Sequence, residues 1–228
     1  MTLFYGHKPR IILNFDNSSL ATSKIVENPE ISQAFYAILR NNNSYYSVYS
    51  QNNFKMYLDL STPSKLSDNE KNFYVNIYKK DKDKDKDKDK DKDKDKDKDK
   101  DKDKDKLVLF KKLQVNDFNF FYEEYGGDKY YRSVFFNEEV PAGQYLIHVY
   151  NPTYQGKYVL AVGEKEEFTV YDSINSIKSI VEIKTKFFNK NIISIFEGKI
   201  IQRTIAFSII VLIILIIIIY LYYKMAVR

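Results

Sequence analysis

Residues 144–163 read QYLIHVYNPTYQGKYVLAVG, and this stretch decides the fold class. Two apolar runs, Gln144 to Asn151 and Gly156 to Gly163, flank a turn that contains a proline. This pattern is typical of two β-strands. In both runs the two alternating faces are apolar or aromatic, so we expect both strands in the centre of a sheet that is covered on both sides.

Six further runs of the same kind precede this stretch, each rich in Tyr, Phe, Val and Ile and bounded by turn residues. They are Tyr45 to Ser50, Phe54 to Leu60, Phe73 to Lys79, Leu107 to Lys112, Phe118 to Tyr122 and Ser133 to Asn137. Eight short strands at this spacing predict an all-β fold, an antiparallel β-sandwich or jelly roll. We expect this domain to occupy residues 28–163.

Residues 81–106 interrupt the strands with thirteen consecutive Asp-Lys dipeptides. Such a segment has no apolar side chain to bury, so it cannot offset the entropy lost on ordering. We therefore predict a disordered or transiently helical insertion in a loop between two strands. It is either a tolerated low-complexity expansion or a polyampholyte spacer with a function of its own.

The segment before the strands predicts one short N-terminal helix over residues 28–40. Asn28, Pro29 and Glu30 suit an N-cap, a first helical position and an acidic first turn. Apolar residues then follow at helical spacing on one face: Ile31, Ala34, Phe35, Ile38 and Leu39.

Residues 1–27 form an N-terminal arm. Its one apolar run, residues 11–13, is too short for the apolar core of a signal peptide. We expect either an irregular arm or a first edge strand.

The C-terminal end carries the predicted anchor. Residues 204–223 read TIAFSIIVLIILIIIIYLYY without a charged side chain, and as a helix they cover roughly 30 Å, the thickness of a bilayer's hydrocarbon core. This predicts one transmembrane helix, followed by a tail at 224–228. Residues 164–203 predict a basic amphipathic helix that either lies in the membrane interface or docks on its own domain. Its apolar side is formed by Ile174, Ile177, Ile180, Val181 and Phe188.

The net charge of +5 belongs to this C-terminal part. Residues 178–228 carry eight basic and two acidic side chains, the repeat is neutral, and the remaining body is slightly acidic. This distribution argues against nucleic-acid binding. Besides contact of the span with the lipid bilayer, it predicts that the basic stalk is attracted to anionic lipid head groups.

Catalytic motifs are missing from the sequence. It has no cysteine, no Ser-His-Asp order, no Gly-rich phosphate loop and no paired-histidine spacing. His148 falls in the middle of a strand among apolar and aromatic neighbours, where a structural histidine is more common than a base or a ligand. We expect a protein that is not an enzyme and that has no cofactor and no bound metal.

Residues 120–132, FFYEEYGGDKYYR, are the candidate ligand surface. Exposed tyrosines could stack on a sugar ring while the acids accept its hydroxyls, or the acids could hold Ca²⁺. The spacing matches no calcium loop, however, and an acidic turn with Gly is also an ordinary hairpin connection. The candidate residues are Tyr122, Glu123, Glu124, Tyr125, Asp128 and Tyr130.

Residues 140–152, VPAGQYLIHVYNP, and 156–164, GKYVLAVGE, resemble the closing strands of secreted bacterial β-sandwich modules, the pre-peptidase C-terminal type among them. Residues 25–36, IVENPEISQAFY, resemble a segment of uncharacterised prokaryotic proteins with the same ending. The resemblance covers about half of the chain. It implies an exported accessory or binding module and supplies no catalytic residues.

Two functions therefore remain open. The first is a membrane-anchored extracytoplasmic binding or interaction module with a protein or carbohydrate ligand, which the resemblance and two N-glycosylation sequons at Asn17 and Asn42 favour. The second is a tail-anchored adaptor that faces the cytosol. The missing signal peptide favours it, and so does the positive-inside rule, since more basic residues precede the span than follow it.

Overall fold

The computed structural model describes residues 8–13, 17–40, 43–67, 71–80, 107–115, 118–167 and 170–226. Within this part, eleven strands are followed by a helical C-terminal region. The strands are β1 (Lys8–Ile11), β2 (Lys24–Val26), β3 (Gln33–Arg40), β4 (Ser44–Ser50), β5 (Phe54–Pro63), β6 (Phe73–Lys80), β7 (Leu107–Val115), β8 (Asn119–Glu123), β9 (Asp128–Val140), β10 (Gly143–Tyr150) and β11 (Gln155–Val162). The helical elements are α1 (Val170–Glu182), a π-helical turn (Ile183–Phe187), a 3₁₀ helix (Ile192–Glu197) and α2 (Lys199–Ala226).

The strands form two sheets that pack face to face as a β-sandwich. The six-stranded sheet has the order β1-β3-β11-β5-β9-β8, and the five-stranded sheet has the order β2-β4-β10-β6-β7. Alternate side chains from both sheets fill one core, in which the hydroxyls of Tyr46 and Tyr158 lie 2.7 Å apart across the two layers. All eight predicted strands are confirmed, and β10 and β11 lie inside their sheets as expected.

Most strand pairs are antiparallel, as predicted, but both sheets are mixed because each contains one parallel pair. The two parallel pairs, β1 with β3 and β2 with β4, both involve strands from the N-terminal arm. The arm therefore supplies an edge strand to each sheet, as one of the two alternatives for it predicted. Since β1 and β2 complete the sheets, the folded unit begins before residue 28.

The predicted helix at 28–40 is wrong, because Gln33–Arg40 is strand β3. This strand is bonded to β1 on one side and β11 on the other, and nearly all of its side chains are buried. Asn28 has a φ of 49°, which belongs to a left-handed turn and not to an N-cap. A strand buried on both faces is apolar at consecutive positions, and such a run also satisfies helical spacing.

The segment after the strands docks on the outer face of the six-stranded sheet. Ile183 and Phe187 of the π-helical turn are buried against Ala34, Tyr36 and Val159. Of the two alternatives for the basic amphipathic segment, docking on its own domain is therefore the one observed. The side chains of Ile174 and Ile177 lie outside the described part of this helix.

Helix α2 continues this segment and is exposed along nearly its whole length. Its residues Ile201–Ala226 contain an 18-residue window with a mean hydropathy of 3.2 and are long and apolar enough to cross a membrane. The prediction for residues 81–106 lies outside the described residues, but the strands on either side are paired, with Lys80 opposite Leu107.

Candidate functional site

A cavity of about 520 Å³ lies between the outer face of the six-stranded sheet and the docked C-terminal segment. Its floor consists of outward-facing residues of β3, β5, β9 and β11, and Ile180 and Ile183 close it from the helical side. The floor side chains are Ala34, Tyr36, Asp59, Ser61, Arg132, Val159 and Ala161. The size falls in the range of small-molecule sites in proteins.

The hairpin between β8 and β9 forms one wall of this cavity. All six residues of the predicted ligand surface line it: Tyr122, Glu123, Glu124, Tyr125, Asp128 and Tyr130. The structure therefore brings them together, but not as an open platform, because Asp128 and Tyr130 are each only 2% exposed. That these residues bind a ligand stays a prediction.

A buried polar cluster at the cavity floor was missed by the sequence analysis. Arg132 Nε donates to Asp59 Oδ2 at 3.0 Å, and Arg132 Nη2 donates to the Tyr57 hydroxyl at 2.9 Å. Tyr57 in turn donates to Asp59 Oδ2 at 3.0 Å. Burial, together with the negative charge of Asp59, raises the pKa of Tyr57 to about 12, so the phenol remains a donor at neutral pH. A lone carboxylate in the apolar run of β5 was the signal available in the sequence.

Glu123 turns its carboxylate back onto the hairpin. It accepts hydrogen bonds of 2.7 Å from the backbone N–H groups of Tyr125 and Gly126. Burial raises the pKa of Glu123, although the two backbone donors oppose this effect. Burial also raises the pKa values of Tyr36 and Tyr130 beneath the hairpin. The wall therefore presents fixed hydrogen-bonding groups in a largely desolvated setting.

Basic residues of the C-terminal segment neutralise the acids of this hairpin. Lys184, which is fully buried, lies 2.8 Å from Asp128, and Lys190 lies 2.9 Å from the same carboxylate oxygen. Lys199 at the start of α2 pairs with Glu124 at 2.6 Å. Three bases of the predicted stalk are thus engaged by the domain itself. Attraction of the stalk to anionic lipid stays a prediction, and the exposed bases available for it include Lys178 and Arg203.

The hairpin turn is also in backbone contact with the start of α2. A Cβ added at Gly198 would lie 2.5 Å from the Tyr125 carbonyl oxygen, and one added at Gly127 would overlap the Glu197 carbonyl. The Lys199 backbone N–H donates to the Glu124 carbonyl oxygen at 3.0 Å. The cavity wall and the start of α2 are therefore in direct backbone contact, and this contact is called the junction below.

His148 lies on the other sheet, away from the cavity. Its ring is stacked between Tyr45 and Tyr150, with centroids 4.6 and 4.8 Å away. Burial lowers the pKa of His148 to about 4, so the ring is neutral at pH 7. Its Nε2 has no hydrogen-bond partner among the described residues. Because the two sites do not converge, His148 cannot act as a base on a molecule bound in the cavity.

The described part of the chain bears on two further predictions, a calcium site and glycosylation at two asparagines. No three Asp, Glu or His side chains there are grouped to hold a metal ion. Asn17 is 7% exposed and its amide nitrogen is buried, so a glycan there would require the side chain to leave its position. Asn42 lies outside the described residues. Glycosylation at the two sequons stays a prediction.

Comparison with known proteins gives no further assignment. The chain matches no family model, and no curated protein matches it. The resemblance to pre-peptidase C-terminal modules therefore stays a prediction as well.

Proposed function

We propose that this protein is a single-pass membrane protein whose β-sandwich acts as a non-enzymatic extracytoplasmic binding module, with the cavity beside the span as its ligand site. The observation that carries the proposal is the junction at which the hairpin wall of the cavity meets the start of α2. A site built there holds its ligand at a fixed place relative to the anchor.

The chemistry of the cavity favours a small, neutral, hydroxyl-rich ligand such as a mono- or disaccharide. Its acids already have partners: Asp59 has Arg132, Asp128 has Lys184, and Glu123 has backbone donors. A charged ligand would have to displace these contacts. A neutral ligand can instead bind to the lone pairs that these acids still have free, to the hydrogen-bond donors of the cavity and to its aromatic surfaces. The same pairing argues against a catalytic base, because each carboxylate is held in a structural bond.

The alternative is a tail-anchored adaptor that faces the cytosol, and it rests on the excess of basic residues before the span. Three of these residues, Lys184, Lys190 and Lys199, are paired with acids of the domain. Because these lysines are neutralised by acids of the domain, they favour a cytosolic location less strongly than the number of basic residues alone indicates. Large domains also cross membranes largely regardless of their charge.

Ligand binding can be tested with the full chain in detergent micelles against a panel of neutral mono- and disaccharides. We expect at least one sugar to raise the midpoint of thermal unfolding, and expect Ala161→Phe, which fills the cavity, to abolish the rise. Ser47→Phe adds a ring on the outer face of the other sheet and serves as the control. Equal shifts in all three proteins, or none with any sugar, would refute the saccharide proposal.

The side of the membrane can be tested independently with an N-terminal tag and protease treatment of sealed membranes. Protection of the tag from protease added on the cytosolic side supports the extracytoplasmic module. Digestion of the tag under these conditions supports the adaptor and overturns the first proposal.

A further inference from the structure

The 3₁₀ helix Ile192–Glu197 exposes a cluster of large apolar side chains. Ile192 is 55% exposed, Ile193 68% and Phe196 49%, while Ile195 of the same helix packs inward near Ile201. The Asn191 side chain caps this helix by accepting the Ile193 backbone N–H at 3.0 Å. The cluster is therefore held outward by a defined local structure.

This cluster lies directly beside the first turn of α2. A single residue, Gly198, separates the 3₁₀ helix from α2, and it is buried against the hairpin turn. Gln202 Nε2 in the first turn of α2 donates to the Phe196 carbonyl oxygen at 2.9 Å. Large exposed apolar side chains of α2 begin a few residues further along the chain, at Ile205 and Phe207.

We propose that a lipid surface is the partner of this cluster, and that Ile192, Ile193 and Phe196 insert into the interface of the leaflet from which the span starts. The proposal rests on the membrane anchoring proposed above. Short apolar segments bind at the boundary between head groups and acyl chains, and a neighbouring span keeps this one at that depth. Exposed Arg203, one turn into α2, is placed to contact phosphate groups there.

The span and the 3₁₀ helix together would orient the domain relative to the bilayer, whereas the span alone would only tether it. The span alone permits tilting at its first turn, but the 3₁₀ helix adds a second contact with the same leaflet. Because the hairpin wall is packed on Gly198, the cavity is then held at a fixed height above the bilayer.

The test uses the absence of native cysteine, which allows single labels on the full chain. Ile193→Cys and Phe196→Cys carry an environment-sensitive NBD fluorophore in phosphatidylcholine vesicles. Ile213→Cys within the span is the positive control. Tyr49→Cys is the matched exposed control, since it lies at the end of the sandwich opposite the hairpin, where β9 ends at Val140. We expect blue-shifted emission, quenched by lipids with a shallow nitroxide, at 193 and 196 but not at 49.

The other outcomes overturn the proposal in distinguishable ways. Water-like emission at 193 and 196 with a quenched label at 213 refutes the interfacial contact and leaves the anchoring intact. Water-like emission at 213 as well refutes both. Blue-shifted emission at 193 that lipid nitroxides do not quench, and that grows with the protein-to-lipid ratio, assigns the cluster to a second copy of the chain.

Discussion

Removal of Lys184 from its ion pair with Asp128 should strongly destabilise the folded chain. Lys184 is fully buried and Asp128 is 2% exposed, so removal of the cation leaves a carboxylate in a site with little water. Breaking a buried pair from one side costs about 3–5 kcal/mol. Because Lys190 also reaches Asp128, at 2.9 Å, we expect Lys184→Met to fall at the low end, about 3 kcal/mol.

The assay is urea unfolding of the full chain in detergent micelles, followed by far-UV circular dichroism. The matched control is Lys111→Met, which breaks an exposed pair with Glu138 at 3.0 Å and should cost less than about 1 kcal/mol. In a thermal melt, Lys184→Met should lower the midpoint by roughly 6–12 °C, at about 2–4 °C per kcal/mol for a domain of this size. If Lys184→Met and Lys111→Met are indistinguishable, the pair does not stabilise the junction and the reasoning is refuted.

Three further predictions use the same preparation. Tyr158→Phe should lower the free energy of unfolding by about 1–2 kcal/mol, since it deprives the buried Tyr46 hydroxyl of its partner. Addition of Tyr46→Phe should recover part of this loss, and additive losses in the double variant would contradict the pairing. Gly198→Ala should lower the melting midpoint because its Cβ would meet the Tyr125 carbonyl oxygen. An unchanged midpoint would show that the backbone at the junction can shift to accommodate the Cβ. Burial lowers the pKa of His148 to about 4, so the unfolded chain binds more protons than the folded chain between pH 6.5 and 4. Wild-type stability should therefore fall over this window more than that of His148→Phe, by on the order of 1 kcal/mol, since solvent screens this partly exposed ring. Parallel pH profiles of the two proteins would contradict this.

The sequence predicted the strands well because their signal is local. Alternating apolar and aromatic residues bounded by turns identified β4 to β11, and the unbroken apolar character of β10 and β11 placed them inside the sheets. The same local reasoning failed at β3. There the tertiary environment, with strands bonded on both sides, decides between two structures that the apolar spacing permits equally.

The sequence predicted the hairpin residues of the candidate site but not the residues with which they pair. The hairpin residues are consecutive, so their shared surface could be predicted, but their partners come from distant parts of the chain. Arg132 reaches back to Asp59, and Lys184 to Asp128. Such pairs depend on how the sheet and the C-terminal segment pack, which no local pattern encodes. The ion pairs of the basic stalk were not predicted, because a lysine gives no sign in its sequence neighbourhood of the acid that it will meet.

The pairing of Lys80 with Leu107 brings the two ends of the Asp-Lys repeat together. The two strands are in register on either side of the repeat, so the sandwich constrains where the repeat begins and ends but not how many copies it holds. Halving the number of copies changes the closure entropy by only about 0.6 kcal/mol. Chains with different numbers of Asp-Lys units should therefore adopt the same folded domain. We therefore expect a change of repeat length at this position to leave both the fold and the cavity intact.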